Sequence, residues 1–186
     1  MRHGQSEANF VGRVVSAPNV GIAGYGLTTL GRQQVTTRAR QFVKCNPWAS
    51  TIRVFSSDFL RARQTADLFA EIAKCNTRVT LEPGLRERFF GRYEGLSDSS
   101  YHEVWRLDSV DQRHQVQGVE SVVSVRERVR ELVTNLEKSY RDQQFLLVAH
   151  GDVLQISQTL FQNIPGERHR QLHHLEVAEI RRLNHW

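Results

Sequence analysis

Apolar positions along the 186-residue chain switch repeatedly between two periods. Leu30, Val35, Ala39, Phe42 and Val43 recur at helical spacing between the polar opening LTTLG and the stop NPW, so a helix is predicted there. The stretch TIRVFSS follows, a short β-branched run ending in small polar residues and Asp58, as expected of a buried strand that feeds a helix. That helix is predicted from Asp58 to about Ala73, with Leu60, Ala62, Ala66, Phe69 and Ala73 as its apolar stripe. RVTLEPGL is a second strand candidate, stopped by Pro83 and Gly84.

Periodicity then weakens, and residues 88–120 are predicted to form an irregular excursion with one short helix. Regularity returns with Val122, Val125, Val129, Leu132, Val133, Leu136 and Tyr140, a helical stripe backed by Arg126, Glu127, Arg130 and Glu137. QFLLVAHGD predicts a fully buried strand running into a loop, DVLQISQTLFQN a helix with Asp152 in its first turn, and EVAEIRRLN a closing edge strand. Strands alternating with helices of this length predict an α/β fold, a three-layer α/β/α sandwich with a mostly parallel central sheet. No linker or repeat divides the chain, so residues 1–186 are expected to form a single domain.

Composition narrows the class. No run approaches the roughly 18 apolar residues of a membrane-spanning helix, and no secretory signal opens the chain, so a cytoplasmic protein without a membrane partner is expected. Cys45 and Cys75 have neither metal-ligand spacing nor the density of a disulfide scaffold, and are expected to be free thiols. The net charge is +5 with a pI near 9.7, and of 25 basic residues only Lys44, Lys74 and Lys138 are lysines. Arginine's planar fork suits phosphate and carboxylate, so the bias fits a phosphorylated ligand, a nucleic acid or high-GC codon usage. The arginines show no interleaved aromatic residues, which argues against nucleic acid as a partner.

Two histidines stand where the chain could leave a strand, each followed by glycine: His3 in RHG and His150 in AHG. Ligands of open parallel sheets bind beyond the carboxyl ends of the strands, and glycine lets backbone approach them. With Arg2 beside one histidine and Arg61 at the start of the helix after FSSD, the four would form a small cationic pocket suited to a phosphoryl group. Taken singly, His150 could equally be a hydrogen-bonded core residue, and Glu87 between Arg86 and Arg88 an exposed ion pair. His169 and His173 in RHRQLHH lie four apart without an acidic or cysteine partner and are expected in a solvated turn. Trp48, Trp105 and Trp186 are expected to serve packing.

Six strings, in order, resemble the histidine phosphatase superfamily, which includes the cofactor-dependent phosphoglycerate mutases: RHGQSEAN, YGLTTLGRQQ, SSDFLRARQTA, LRERFFGRYEG, VESVVSVRERV and LLVAHGD. The resemblance implies His3 as the nucleophile that becomes phosphorylated, with Arg2, Arg61, His150 and Asn9 holding the phosphoryl group. Glu87 matches the acid that protonates the leaving oxygen and then activates water. No metal and no cofactor are implied, and the expected partner is a small phosphorylated substrate.

The sequence departs from the mutase pattern. The tyrosine expected three residues after the acid is Phe90, and the lysine expected eleven after it is Asp98. Metal-independent hydrolysis of phosphomonoesters is therefore expected ahead of a phosphoglycerate mutase, with a silent phospho-ligand-binding protein as the alternative of another class. Arg88, Arg92, His102, Arg106, Arg113 and His114 are candidates for gripping the rest of the substrate. In relatives an apolar strand precedes RHG, whereas here only Met1 does, so a longer natural polypeptide with that strand before Met1 is expected.

Overall fold

In the computed structural model, which describes residues 1–183, Arg53–Ser56 forms β1, the middle strand of a three-stranded sheet. Thr80–Leu81 (β2) and Phe145–Val148 (β3) flank it in the order β2-β1-β3. Both run parallel to β1, with Phe55 in register with Thr80 on one side and Leu147 on the other. Parallel strands need crossovers, and the helices that supply them cover both faces. Thr29–Cys45 (α3) and Leu60–Ala73 (α4) lie on one face, with Val35, Ala39, Ala62, Ala66 and Phe69 buried against Val54, Leu146 and Val148. Val122–Ser139 (α6) and Gly151–Phe161 (α7) lie on the other, where Val125, Val129, Val153 and Ile156 cluster with Phe55 and Ala149. Alternate residues of one strand thus enter different cores, and the expected three layers are present.

The segment before the first short helices, Glu7–Phe10 (α1) and Pro18–Gly21 (α2), extends the sheet beyond β3. The Met1 nitrogen donates to Leu147 O at 2.7 Å, Ala149 N to Met1 O at 3.0 Å and His3 N to Ala149 O at 3.1 Å, with Arg2 bridged in parallel to Ala149. On its far side Arg2 N donates to Glu179 O, and Ala178 N to His3 O. These two bonds are all that EVAEIRRLN shows of the predicted closing strand among the described residues. Ala178 adopts φ 59°, which breaks an extended run. Asn184 of that string, and Trp186, lie outside the described residues.

Two other boundaries and one face assignment shift for local reasons. α4 starts at Leu60, because Asp58 is held in the preceding loop by Arg86, whose Nε and Nη2 donate to its carboxylate at 2.9 and 2.6 Å. The second strand shrinks to two residues before the turn at Pro83–Leu85. Leu30, assigned to the apolar face of α3, stands exposed in its first turn, while the Thr28 hydroxyl caps that helix by accepting from Gly31 N at 3.0 Å.

The excursion is better ordered than its sequence suggests. It carries Tyr101–Asp108 (α5) and three 3₁₀ turns, and Phe90, Tyr93, Val104 and Val119 join Val14 in a small core of their own. Arg88 ties that core to the sheet. Its guanidinium, 0% exposed, donates twice to Asp108 at 2.7 Å, once to Asp152 at 3.1 Å and through Nε to Glu120 O at 2.7 Å. His114 reaches the same Asp108 at 2.8 Å, and buried His169 lies 3.7 Å from it. Arg88 and His114 are therefore committed to one buried carboxylate rather than to substrate, and His169, whose Nδ1 bonds Gly166 O at 3.0 Å, is a core residue rather than part of a solvated turn. Trp48 packs edge-on against Phe42 as expected.

Removing one partner of a buried ion pair leaves the others charged and unsolvated, which costs about 3–5 kcal/mol. Arg88→Ala is expected to lower unfolding stability by that amount in urea titrations, with Arg92→Ala, at an exposed position, nearly neutral.

Candidate active site

His3 leaves the sheet at its carboxyl edge and is 3% exposed. Its Nδ1 lies 2.7 Å from Gly4 O, which can only accept, and its Nε2 lies 3.2 Å from Arg61 Nε, which can only donate. The two partners select the neutral tautomer with hydrogen on Nδ1 and a lone pair on Nε2. Burial, then the charges of Arg61 and Arg2, hold the His3 pKa well below its usual range and outweigh the Gly4 carbonyl.

The loop that aims this ring needs glycine on both sides of a close approach. A Cβ on Gly31, in the first turn of α3, would meet Gln5 O at 2.0 Å, and one on Gly4 would meet Gly31 O at 2.6 Å. Thr65 of α4 accepts from Gly4 N at 3.2 Å and completes the seat.

Arg61 enters from the first turn of α4 and is 4% exposed. Its Nη2 donates to Val15 O at 2.9 Å, while Nη1 is buried without a partner among the described residues. Arg2 donates to Leu175 O at 2.8 Å and to His174 Nε2 at 2.6 Å, and its Nε is likewise unpartnered. Burial and then Arg2 push the His174 pKa down to about 4, which leaves it neutral. Neither guanidinium meets a carboxylate among the described residues.

His150 lies two residues beyond β3 at the N-cap of α7, fully buried, with its ring edge-on to His3 at 5.2 Å. Its Nε2 is 2.8 Å from the Ser57 hydroxyl, just past β1, and its Nδ1 is a further buried atom without a partner. Burial, Arg61 and His3 hold its pKa well below normal.

Glu87 faces the same space. Its neighbours Arg86 and Arg88 are paired elsewhere, so the exposed ion-pair alternative is not what the structure contains. Burial first, then the charge of Asp152, push its pKa up to about 7, against Arg61 and the Arg88 N–H that donates to Oε1 at 3.0 Å. Asp152 itself stays below its ordinary value: burial opposes ionisation, but Arg88 beside it prevails. Asn9, in α1, accepts through Oδ1 from Ser6 N and Ser6 Oγ, which commits its oxygen to a capping box and leaves its NH₂ group for a ligand.

Arg2, His3, Asn9, Arg61 and Glu87 thus line one cleft of about 200 Å³, with His150 packed behind His3. Arg92, His102, Arg106 and Arg113 stand exposed elsewhere and are not among its lining residues. The cleft wall includes Arg13, Asp98, Tyr101, Asp152 and His174, none of which was a sequence candidate for the site. Trp105 lines it too, so its role exceeds packing. Its Nε1 donates to Asp152 at 2.9 Å and Arg170 lies over its ring at 3.6 Å. Asp98 had shown itself only as a departure from a lysine, and α5 brings Tyr101 and Trp105 in from a stretch without periodic signal.

A cleft lined by arginines at the carboxyl edge of a parallel sheet, with His3 and His150 at its base, agrees with the family that the whole chain matches. The chain belongs to the histidine phosphatase superfamily (branch 1), whose family model matches residues 1–186. A Hydrogenobacter thermophilus protein named as a candidate phosphoserine phosphatase is 32% identical over 165 residues, 83% of this chain and 72% of its own length. Erwinia tasmaniensis GpmB, named as a candidate phosphoglycerate mutase, is 28% identical over 193 residues, covering 100% of this chain and 83% of its own. Among solved structures, a mycobacterial glucosyl-3-phosphoglycerate phosphatase in complex with VO3 superposes with a TM-score of 0.78 at 27% identity, over 95% of this chain and 87% of that one.

Gly31→Ala is expected to destabilise the protein by about 1–3 kcal/mol through overpacking and, by moving the Gly4 loop, to lower turnover of a phosphoester as well. Thermal melts and initial rates on the same preparation check both effects.

Proposed function

We propose that this histidine phosphatase hydrolyses small phosphomonoesters in two displacements at phosphorus, through a phosphohistidine on His3. The observation that carries the reading is the His3 ring itself: buried, neutral, its Nε2 lone pair beside Arg61 in a cleft that Glu87 also lines. In the first step the Nε2 lone pair forms the N–P bond as the ester P–O bond breaks, and the Glu87 proton passes to the leaving oxygen. In the second, the Glu87 carboxylate takes a proton from water, whose oxygen attacks phosphorus. The N–P bond breaks, its electrons return to Nε2, and orthophosphate leaves.

Arg2, Arg61, His150 and Asn9 hold the phosphoryl oxygens in this reading. The unpartnered Arg2 Nε, Arg61 Nη1 and His150 Nδ1 supply donors, with the hydrogen on His150 Nδ1 if the Ser57 hydroxyl donates to Nε2. Prepositioned donors of this kind are worth roughly 3–4 kcal/mol each in the transition state. The two opposed pKa displacements serve the same chemistry, since the nucleophile must lack a proton where the acid must carry one.

A cleft of about 200 Å³ suits a small substrate. Transfer between hydroxyls of phosphoglycerate, the reaction named for GpmB, is the competing activity. Asp98 on the cleft wall supports hydrolysis instead, because its carboxylate would repel that of a glycerate. The free thiols Cys45 and Cys75 fit a reducing cytoplasm, and among the described residues no helix is long and apolar enough to cross a membrane. We take residues 1–186 as a single domain.

Incubation with a ³²P-labelled phosphoester is expected to label His3 and not the His3→Ala variant; turnover that survives His3→Ala would end the reading. With 3-phosphoglycerate, orthophosphate is expected to appear faster than any isomer. The pH profile follows from the two shifts. Below about 7 Glu87 keeps the proton it must donate, so kcat/KM is expected to fall as pH rises through about 7. The acid limb is expected below the usual imidazole range, because lowering the His3 pKa extends its neutral form to lower pH. Glu87→Gln is expected to cost roughly 10²–10⁴ in rate and to abolish the alkaline limb.

A further inference from the structure

Tyr101 opens α5 and enters the cleft from the excursion. Its ring is clamped on two sides. Phe90 meets it edge-on at 4.7 Å, and Trp105, one helical turn on, stacks at 5.4 Å with 15° between planes. Trp105 is held in turn by Asp152 and Arg170, so the phenol is placed by parts of the chain that also frame the site.

A tyrosine hydroxyl normally finds a partner, in the protein, in water or in a ligand. Among the described residues this hydroxyl takes no hydrogen bond. The charges it feels are those of Glu87, Arg61, Asp152 and Asp98, all from the cleft wall. Burial, followed by Glu87, keeps its proton on far above neutral pH, so it can only act there as a hydroxyl and never as a phenolate. A donor among Glu87 and Arg61, without a protein acceptor, faces the space in which the transferring group would sit.

We infer that the Tyr101 hydroxyl donates a hydrogen bond to the phosphoryl group of the bound phosphoester, making it a further substrate-binding residue of this enzyme. The inference rests on the proposed phosphatase reading. It assigns the excursion a direct part in binding: α5 brings a donor to the cleft that His3 and Arg61 also line. The hydrogen bond would form to a charged oxygen, which sets the expected effect at roughly 10- to 100-fold.

Tyr101→Phe keeps the ring, its stack and its edge contact and removes only the hydroxyl. With p-nitrophenyl phosphate, kcat/KM is expected to fall roughly 10- to 100-fold. Inhibition by orthophosphate is expected to weaken by a similar factor with the melting temperature unchanged, a shift in anion affinity that a merely structural role would not produce. A parallel titration compares orthophosphate binding by His3→Ala with that by His3→Ala/Tyr101→Phe, which reads the hydroxyl without any turnover. Equal affinities in that pair, or unchanged kinetics in Tyr101→Phe, overturn the inference. Loss of turnover with orthophosphate affinity intact also overturns it, because the hydroxyl would then serve the leaving group. A wild-type protein that hydrolyses no phosphoester would refute the phosphatase reading and with it the substrate role, whereas the orthophosphate titration of the His3→Ala pair tells that failure apart from failure of the hydroxyl to bind the anion.

Discussion

Two guanidinium groups, Arg61 buried and Arg2 half-buried, stand without a carboxylate in contact among the described residues and dominate this structure. Arg2 and Arg61 are satisfied only in part, by the carbonyls of Leu175 and Val15 and by the neutral rings of His174 and His3. Burying a cation on such terms is costly, and in the proposed reading a bound phosphoryl anion meets the deficit. Much of the site follows from that excess of positive charge. It adds to burial in keeping both strand-end imidazoles neutral, and it leaves donors unpaired around a small cleft. At Glu87 burial and the neighbouring Asp152 outweigh the arginines and push the carboxyl pKa up to about 7.

Arg88 is the counterexample from the same residue type. It is as deeply buried as any group in the chain, yet two carboxylates and a carbonyl surround it. Four of its five N–H donors are engaged there, and it locks the excursion to the start of α7. Three consecutive residues therefore take three directions: Arg86 to Asp58 on the loop after β1, Glu87 into the cleft, Arg88 into the ionic core. The backbone between two anchored arginines has little freedom, which orients the carboxyl that lies between them. Trp105 links the two regions, donating to the Asp152 that Arg88 also holds while supporting the Tyr101 ring over the cleft.

The amino-acid sequence by itself determined the layered α/β arrangement. Short β-branched runs and amphipathic stripes such as Val125/Val129 and Ala62/Ala66/Phe69 carry their partner's face in their own period. It also marked His150, a polar residue followed by glycine at the close of the apolar run FLLVA, whereas His3, with only Met1 and Arg2 before it, was marked by its RHG string alone. Only the tertiary structure decided the use of the charged and aromatic residues between 88 and 120. Arg88 finds Asp108 and Asp152 at separations of 20 and 64 residues, and His169 and His114 converge on one carboxylate from different elements. Such pairings have no period, so a buried ionic core reads in sequence like a solvated surface, and Tyr101 and Trp105 read like ordinary packing. What separates these roles is the dielectric surroundings and the partners each group meets, and both exist only once distant parts of the chain are brought together.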